Sequence, residues 1–403
     1  MSLQRSTEQT LLHHAATRWV AEAEGLDPAA RRRAIAGFGW LAVLVPEADG
    51  GLGQGLADAC ALAEALGAAA APDPWLPVAV QAAGLLAAST DPARRARWLP
   101  ALADGATHLV PATLERGGRD RIRDDVVRAV RDAGSWRLDG LVRALPAGGD
   151  ADAWLVGALG VDGAAHFGVP RGTVGARAPA LDAVDGGRAC RLELDGARLP
   201  DDAWLPGVDE AASARVDDRA LVVACAESVG SIDALLRETV AYLRTRVQFG
   251  RPLAVNQVLR HRVADLAIAA EEARSTALAA VLALDDAARA GDERAHARVA
   301  AGARAKVGAV ARRVAEEAIQ LHGGMGVTDE LRVSRHLKRQ LALDATLGPA
   351  EWHLRRHATL RAAERAAAAR ASRPTADATR CARSSTPTTA PSATRSACSC
   401  ASA

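Results

Sequence analysis

Lysine is nearly absent: Lys306 and Lys338 are the only two in 403 residues, so arginine carries the positive charge. An excess of either sign is missing too. The 50 basic and 48 acidic residues leave a formal charge of +2 with the signs interspersed, which gives no field to steer a nucleic acid. No stretch reaches the roughly 18 uncharged apolar residues of a membrane span. The start, Met1-Ser2-Leu3-Gln4-Arg5, has no apolar leader, and a cytoplasmic protein is expected. Cysteine is sparse: Cys60, Cys190 and Cys225 lie far apart, Cys381, Cys398 and Cys400 sit in the last stretch, and no pair in the folded part has metal-ligand spacing. GxxxxGK[ST], HExxH and GxSxG are also missing, which removes the P-loop, zinc-protease and hydrolase readings. The glycine-rich run Gly50-Gly51-Leu52-Gly53-Gln54-Gly55 has Leu56 where a dinucleotide fingerprint needs its third glycine, and no βαβ pattern surrounds it.

With 49% hydrophobic residues the chain can bury more than one core, so two or three domains are expected. Residues 1–105 read as helices rich in Ala and Leu, broken at Pro46, Gly50-Gly51 and the cluster from Pro72 to Pro77. Across 106–212 short alternating runs such as Trp136-Arg137-Leu138 and Cys190-Arg191-Leu192-Glu193-Leu194 alternate with glycine turns, predicting a small sandwich-like or barrel-like β domain. From 213 to 366 the helical period returns, with Leu221, Cys225, Val229, Ile232, Leu236, Val240 and Leu243 on one face, as in an antiparallel four-helix bundle. The fold class is therefore α+β. Beyond Leu360 there is no Leu, Ile, Val, Phe, Met or Trp, so 367–403 is expected to be a disordered tail.

Two motifs near helix ends carry the chemistry. In Arg246-Val247-Gln248-Phe249-Gly250-Arg251-Pro252, followed by Gln257, the Arg246 fork can grip a pyrophosphate bidentately and Phe249 offers a flat apolar surface. In Gln320-Leu321-His322-Gly323-Gly324-Met325-Gly326, the absence of a Cβ at Gly323 and Gly324 lets a backbone approach a ligand closely. The plainer alternatives are a helix cap at Gly323-Gly324 and a surface ion pair at Arg246.

These runs resemble the RxxFG and QxxGGxG elements of the acyl-CoA dehydrogenases. Phe38-Gly39-Trp40-Leu41, Val45-Pro46-Glu47, Gly50-Gly51-Leu52-Gly53 and Trp98-Leu99-Pro100 with Gly105 are similar to that family's first domain. The resemblance implies that Arg246, Phe249, Gln320, Gly323 and Gly324 contact the ADP half of an FAD whose ring is held mainly by a neighbouring subunit. It also marks what is lost. The TE...GSD stretch corresponds to Ala112-Thr113-Leu114-Glu115-Arg116-Gly117-Gly118-Arg119-Asp120, one residue shorter and with Arg for Ser. GxKxWIT corresponds to Gly140-Leu141-Val142-Arg143-Ala144-Leu145-Pro146, so Ala144 replaces the flavin-stacking Trp and Pro146 the hydrogen-bonding Thr.

The family's reaction needs a carboxylate to take the α-proton of the thioester. Its usual place is Leu347 here, and the alternative place on the bundle's first helix is Ala220. Asp217 and Asp218, beside Ala220, read as an acidic first helical turn, and His322 and His353 as structural. The chain resembles the small, base-lacking subunits of two-component enzymes of the pimeloyl-CoA or sterol-side-chain type. That implies acyl-CoA oxidation to the 2,3-enoyl-CoA with a second, catalytic subunit as partner and electron-transfer flavoprotein as acceptor. A homo-oligomer with Asp218 or Asp344 as a relocated base, and a flavin-free scaffold, are the competing readings.

Truncation after residue 373 is expected to leave the melting temperature and flavin content unchanged in a thermal-shift and absorbance comparison, because the removed segment has no core-forming side chain.

Overall fold

Ser6 starts the first helix: its hydroxyl accepts from the Gln9 N–H while the Gln9 side chain accepts from the Ser6 N–H, a reciprocal cap on α1 (Thr7–Glu22). The structure, a computed structural model, describes residues 5–112, 126–132, 134–328 and 330–371. The stretch 113–125, with Arg119, and the tail from 372 lie outside the described residues. Asp27 accepts from the Ala29 and Ala30 N–H groups to open α2 (Pro28–Gly37), and α3 (Leu56–Gly67) follows with most of its side chains buried. A π-helical segment, Leu76–Ala82, runs into α4 (Ala83–Ala87), and Asp91 caps α5 (Pro92–Ala103).

The alternating runs form one eight-stranded sheet. In it, β1 (Leu109–Ala112) pairs in parallel with the start of β4 (Ala153–Gly160), which also pairs antiparallel with β5 (Gly163–Pro170). The other end of β4 touches β2 (Arg128–Asp132) at Leu159, and β2 continues through β3 (Ser135–Leu145) to β8 (Arg188–Pro200). Short β6 (Ala176–Arg177) and β7 (Ala180–Asp182) pair with β8. Register shifts in the β3–β8 ladder after Leu138 and after Val142 bend the sheet around its own core, which includes Leu138, Trp154, Phe167, Cys190 and Leu192.

Asp209 caps α6 (Glu210–Thr245), which is followed by α7 (Gln257–Ala290), α8 (Glu293–His322), α9 (Val333–Leu347) and α10 (Ala350–Ala371). Gly291 at φ +66° closes α7 and Asp292 caps α8, a tight reversal. Contacts of Tyr242 with His322 and of Arg262 with Glu317 bring the ends of α6 and α8 and the start of α7 together, so α7 runs antiparallel to the other two. A first compact unit ends at Leu360, within α10.

A second core spans residues from α1 to α9, so the N-terminal helices and the bundle share one interior. The crossing of α3 and α6 shows why. A Cβ on Gly67 would stand 2.0 Å from the Glu227 carbonyl oxygen, and one on Gly230 would stand 1.8 Å from that of Glu64. Each helix thus presents a glycine to the other's backbone.

Gly230→Ala is expected to cost at least the roughly 1–3 kcal/mol of core overpacking in a urea titration. Gly324→Ala, whose Cβ would meet nothing within 4 Å, should leave the midpoint in place.

Candidate functional site

The bundle end gathers both sequence motifs. The Tyr242 hydroxyl donates to the His322 carbonyl at 3.2 Å and its ring lies 4.4 Å from the His322 ring, tying the last turn of α6 to that of α8. Arg246 follows directly as the exposed C-cap of α6, with no ion pair among the described residues. Next comes a two-residue hairpin, β9 (Val247–Gln248) and β10 (Arg251–Pro252), whose tip is Phe249-Gly250 with φ +53° and +77°. Such turns favour Asn or Gly at the first tip position. Phe249 sits there instead, strained and 101% exposed.

Across the same end, Gln320 is exposed on the last turn of α8, and Gly323 caps it with φ +60°. The helix-cap alternative therefore accounts for Gly323. It leaves Gly324 unexplained, because that residue has no positive φ and its Cβ would point into open space. The structure brings Arg246 and Gly323-Gly324 to one end through Tyr242 and His322, two residues the sequence reading gave no role at this junction. A lone tyrosine four residues before the motif arginine was the available signal.

The base positions look different. Ala220 is 0% exposed inside α6, and Leu347 packs against the large core at the end of α9. On the neighbouring turn of α6 a Cβ on Gly84 would touch the Val216 methyls at 3.1 and 3.2 Å, so α4 lies flat on the helix. Asp217 and Asp218 are not an acidic first turn, since α6 begins at Glu210, about two turns earlier. Asp217 accepts from Gln81 Nε2 at 3.1 Å. Asp218 is buried, 2.7 Å from Arg356 and 3.6 Å from His296. Asp344 stands 2.8 Å from Arg304, a fully buried arginine on the Ala-rich face of α8. Desolvation raises the Asp344 carboxyl above its ordinary range, while Arg304 and Arg312 pull it back. At the flavin-ring position Ala144 is exposed on β3 and Pro146 is half-buried.

His322 donates from Nδ1 to the Ala318 carbonyl at 2.7 Å, and His353 from Nε2 to the Leu347 carbonyl at 2.7 Å. Burial is the main reason the His353 imidazole is held down to about 4, and His336, packed on Ser231, to about 3. Both stay neutral in the fold well below the pH at which the unfolded chain takes up protons. The unfolded state then binds more protons between about pH 6.5 and 4, so stability falls as pH drops through that window. Unfolding free energy followed by urea titration from pH 7 to 4 should decline by several kcal/mol, at roughly 1.4 kcal/mol per unit and per histidine. His353→Gln should make the decline shallower.

Among the described residues no cluster of His, Cys, Asp and Glu is fit to hold a metal, and no helix is long and apolar enough to cross a membrane. Residues 2–106 match the acyl-CoA dehydrogenase N-terminal domain and residues 212–360 the acyl-CoA dehydrogenase C-terminal domain. The acyl-CoA dehydrogenase FadE27 of Mycobacterium tuberculosis is 31% identical over 329 residues, covering 80% of this chain and 86% of the relative. Among solved structures, the ChsE4-ChsE5 complex of Mycobacterium tuberculosis superposes with a TM-score of 0.78 at 26% identity, covering 93% of this chain and 100% of the matched one. A variant of the Tcur3481-Tcur3483 steroid ACAD gives a TM-score of 0.78 at 30% identity, with 89% and 99% covered. The shared architecture, the bundle-end motifs and this similarity along most of the chain agree: the protein belongs to the acyl-CoA dehydrogenase family.

Proposed function

We propose that this chain is the base-lacking half of a two-chain, FAD-dependent acyl-CoA dehydrogenase. It would hold the ADP half of the cofactor at its bundle end for a catalytic partner subunit. The observation that carries the reading is the pairing of a strained, wholly exposed Phe249 at the hairpin tip with Arg246 just before the hairpin, which has no ion pair among the described residues. Exposing a large aromatic ring on left-handed backbone is unfavourable for an isolated chain. A ligand and a partner surface laid over the hairpin supply the missing contact, and open space at Gly324 leaves room for a close backbone approach.

When bound, FAD supplies the hydride acceptor for oxidation of an acyl thioester to the 2,3-enoyl form. This chain's residues suit only part of that task. Arg246 offers a planar fork to a pyrophosphate, and Phe249 a surface for a flat ring. Leu347 and Ala220 accept no proton, and Asp218 is engaged by Arg356. The partner chain therefore provides the base and the ring pocket. That a similar chain occurs in the ChsE4-ChsE5 complex supports a two-chain assembly. A single-chain enzyme using Asp344 is the second reading, favoured by the upward shift of that carboxyl.

Co-purification with a catalytic acyl-CoA dehydrogenase subunit should yield bound flavin and turnover, while the chain alone should give neither. In the complex, Arg246→Ala should weaken FAD by about ten- to a hundredfold, or roughly 1.5–3 kcal/mol, without lowering the melting point of the isolated chain. Turnover by the chain alone that disappears in Asp344→Asn would replace this reading with the single-chain one. Intact flavin loading in Arg246→Ala would remove its cofactor argument.

A further inference from the structure

A cleft of about 460 Å³ opens where the end of α1, the start of α2, the loop 69–73, the β7–β8 turn and the first half of α9 converge. Its size falls in the range of small-molecule sites. Leu26 and Val184, 45% and 54% exposed, give it apolar walls that none of the described residues covers. One side is basic: Arg332, just before α9, and Arg335 and Lys338 on it line that side.

The acidic residues of the cleft are already engaged. Asp73 forms a two-point pair with Arg31, with contacts of 2.8 and 2.5 Å. Asp185 lies 2.9 Å from Arg339, which also holds Glu227 at 2.7 Å. Glu24 lies 3.9 Å from Arg332, at the limit of an ion pair. Two arginines keep unused donors. Arg335 is exposed with no hydrogen bond or ion pair from its side chain among the described residues, and the Nε of Arg332 is buried without a partner. A buried donor left unsatisfied costs about 1–3 kcal/mol, which an acceptor in the cleft would relieve.

The geometry points to a binding site for a small organic anion, a phosphate or carboxylate head on an apolar body, with Arg332 and Arg335 on the head and Leu26 and Val184 against the body. Two guanidinium forks suit either head, since both offer paired oxygens. Its lining shares no residue with the two motifs, and the proposal does not rest on the proposed function.

Calorimetric titration of the full chain with phenyl phosphate, benzoate and phenol tests it. Saturable binding of phenyl phosphate or benzoate, but not of neutral phenol, is expected, and whichever anion binds more tightly identifies the head group. Arg335→Ala should weaken that binding about ten- to a hundredfold at an unchanged melting temperature, because the side chain supports nothing else. Val184→Glu, on an exposed turn, should abolish it, while Arg246→Ala should leave it intact. No saturable heat with either anion, equal binding of phenol, or an affinity unmoved by Arg335→Ala overturns the assignment. Loss of binding in Arg246→Ala overturns it as well, by moving the anion to the bundle end.

Discussion

The close crossing of α3 and α6 is the contact on which most of the molecule depends. Gly67 and Gly230 let the two backbones approach until each faces the other helix's glutamate carbonyl. The same two glutamates then reach outward. Glu64 meets Arg5 and Arg274, and Arg274 also holds Asp233, while Glu227 meets Arg339, which holds Asp185 on the β7–β8 turn. One backbone contact therefore ties the N-terminal helices, the bundle, the sheet and α9 together. It also explains why the first and last thirds of the chain share a core.

Arginine in place of lysine shapes the interior. A guanidinium keeps its charge when buried and spreads several donors in a plane, so it can neutralise carboxylates that a lysine would satisfy poorly. Asp218 with Arg356, Asp344 with Arg304, and Glu227 with Arg339 are built this way. Such pairs fix helices in register, since removing one partner strands a buried charge. Their chemical consequence matters as much. A carboxylate held by a guanidinium has its oxygens engaged, so the interior next to Ala220 and Leu347 is arranged for packing.

The bundle end follows the opposite logic. Tyr242 and His322 make a rigid floor, and above it Arg246, Phe249 and Gly324 face outward with little of this chain's own structure against them. A preformed floor under an exposed rim suits the shared site proposed for this end, because part of the ordering cost is met before a partner arrives.

Much of this was readable from residue order. Helical periodicity marked α6 to α8, alternation marked β3 and β8, and the motifs around Arg246 and Gly323-Gly324 marked the ends of α6 and α8, because these are local patterns along one element. The absence of a carboxylate at Leu347 and Ala220 was equally a matter of letters. Tertiary structure decided what neighbours do to a residue. Asp218 looked like a solvated helix start until Arg356 and His296 from distant helices enclosed it, and Gly67 and Gly230 looked ordinary until two backbones met. Contacts of that kind join positions far apart in the chain, from 78 residues for Asp218 and His296 to 166 for Glu64 and Gly230, so no local period records them, whereas the sequence alone determined the helix and strand faces that made the meeting possible.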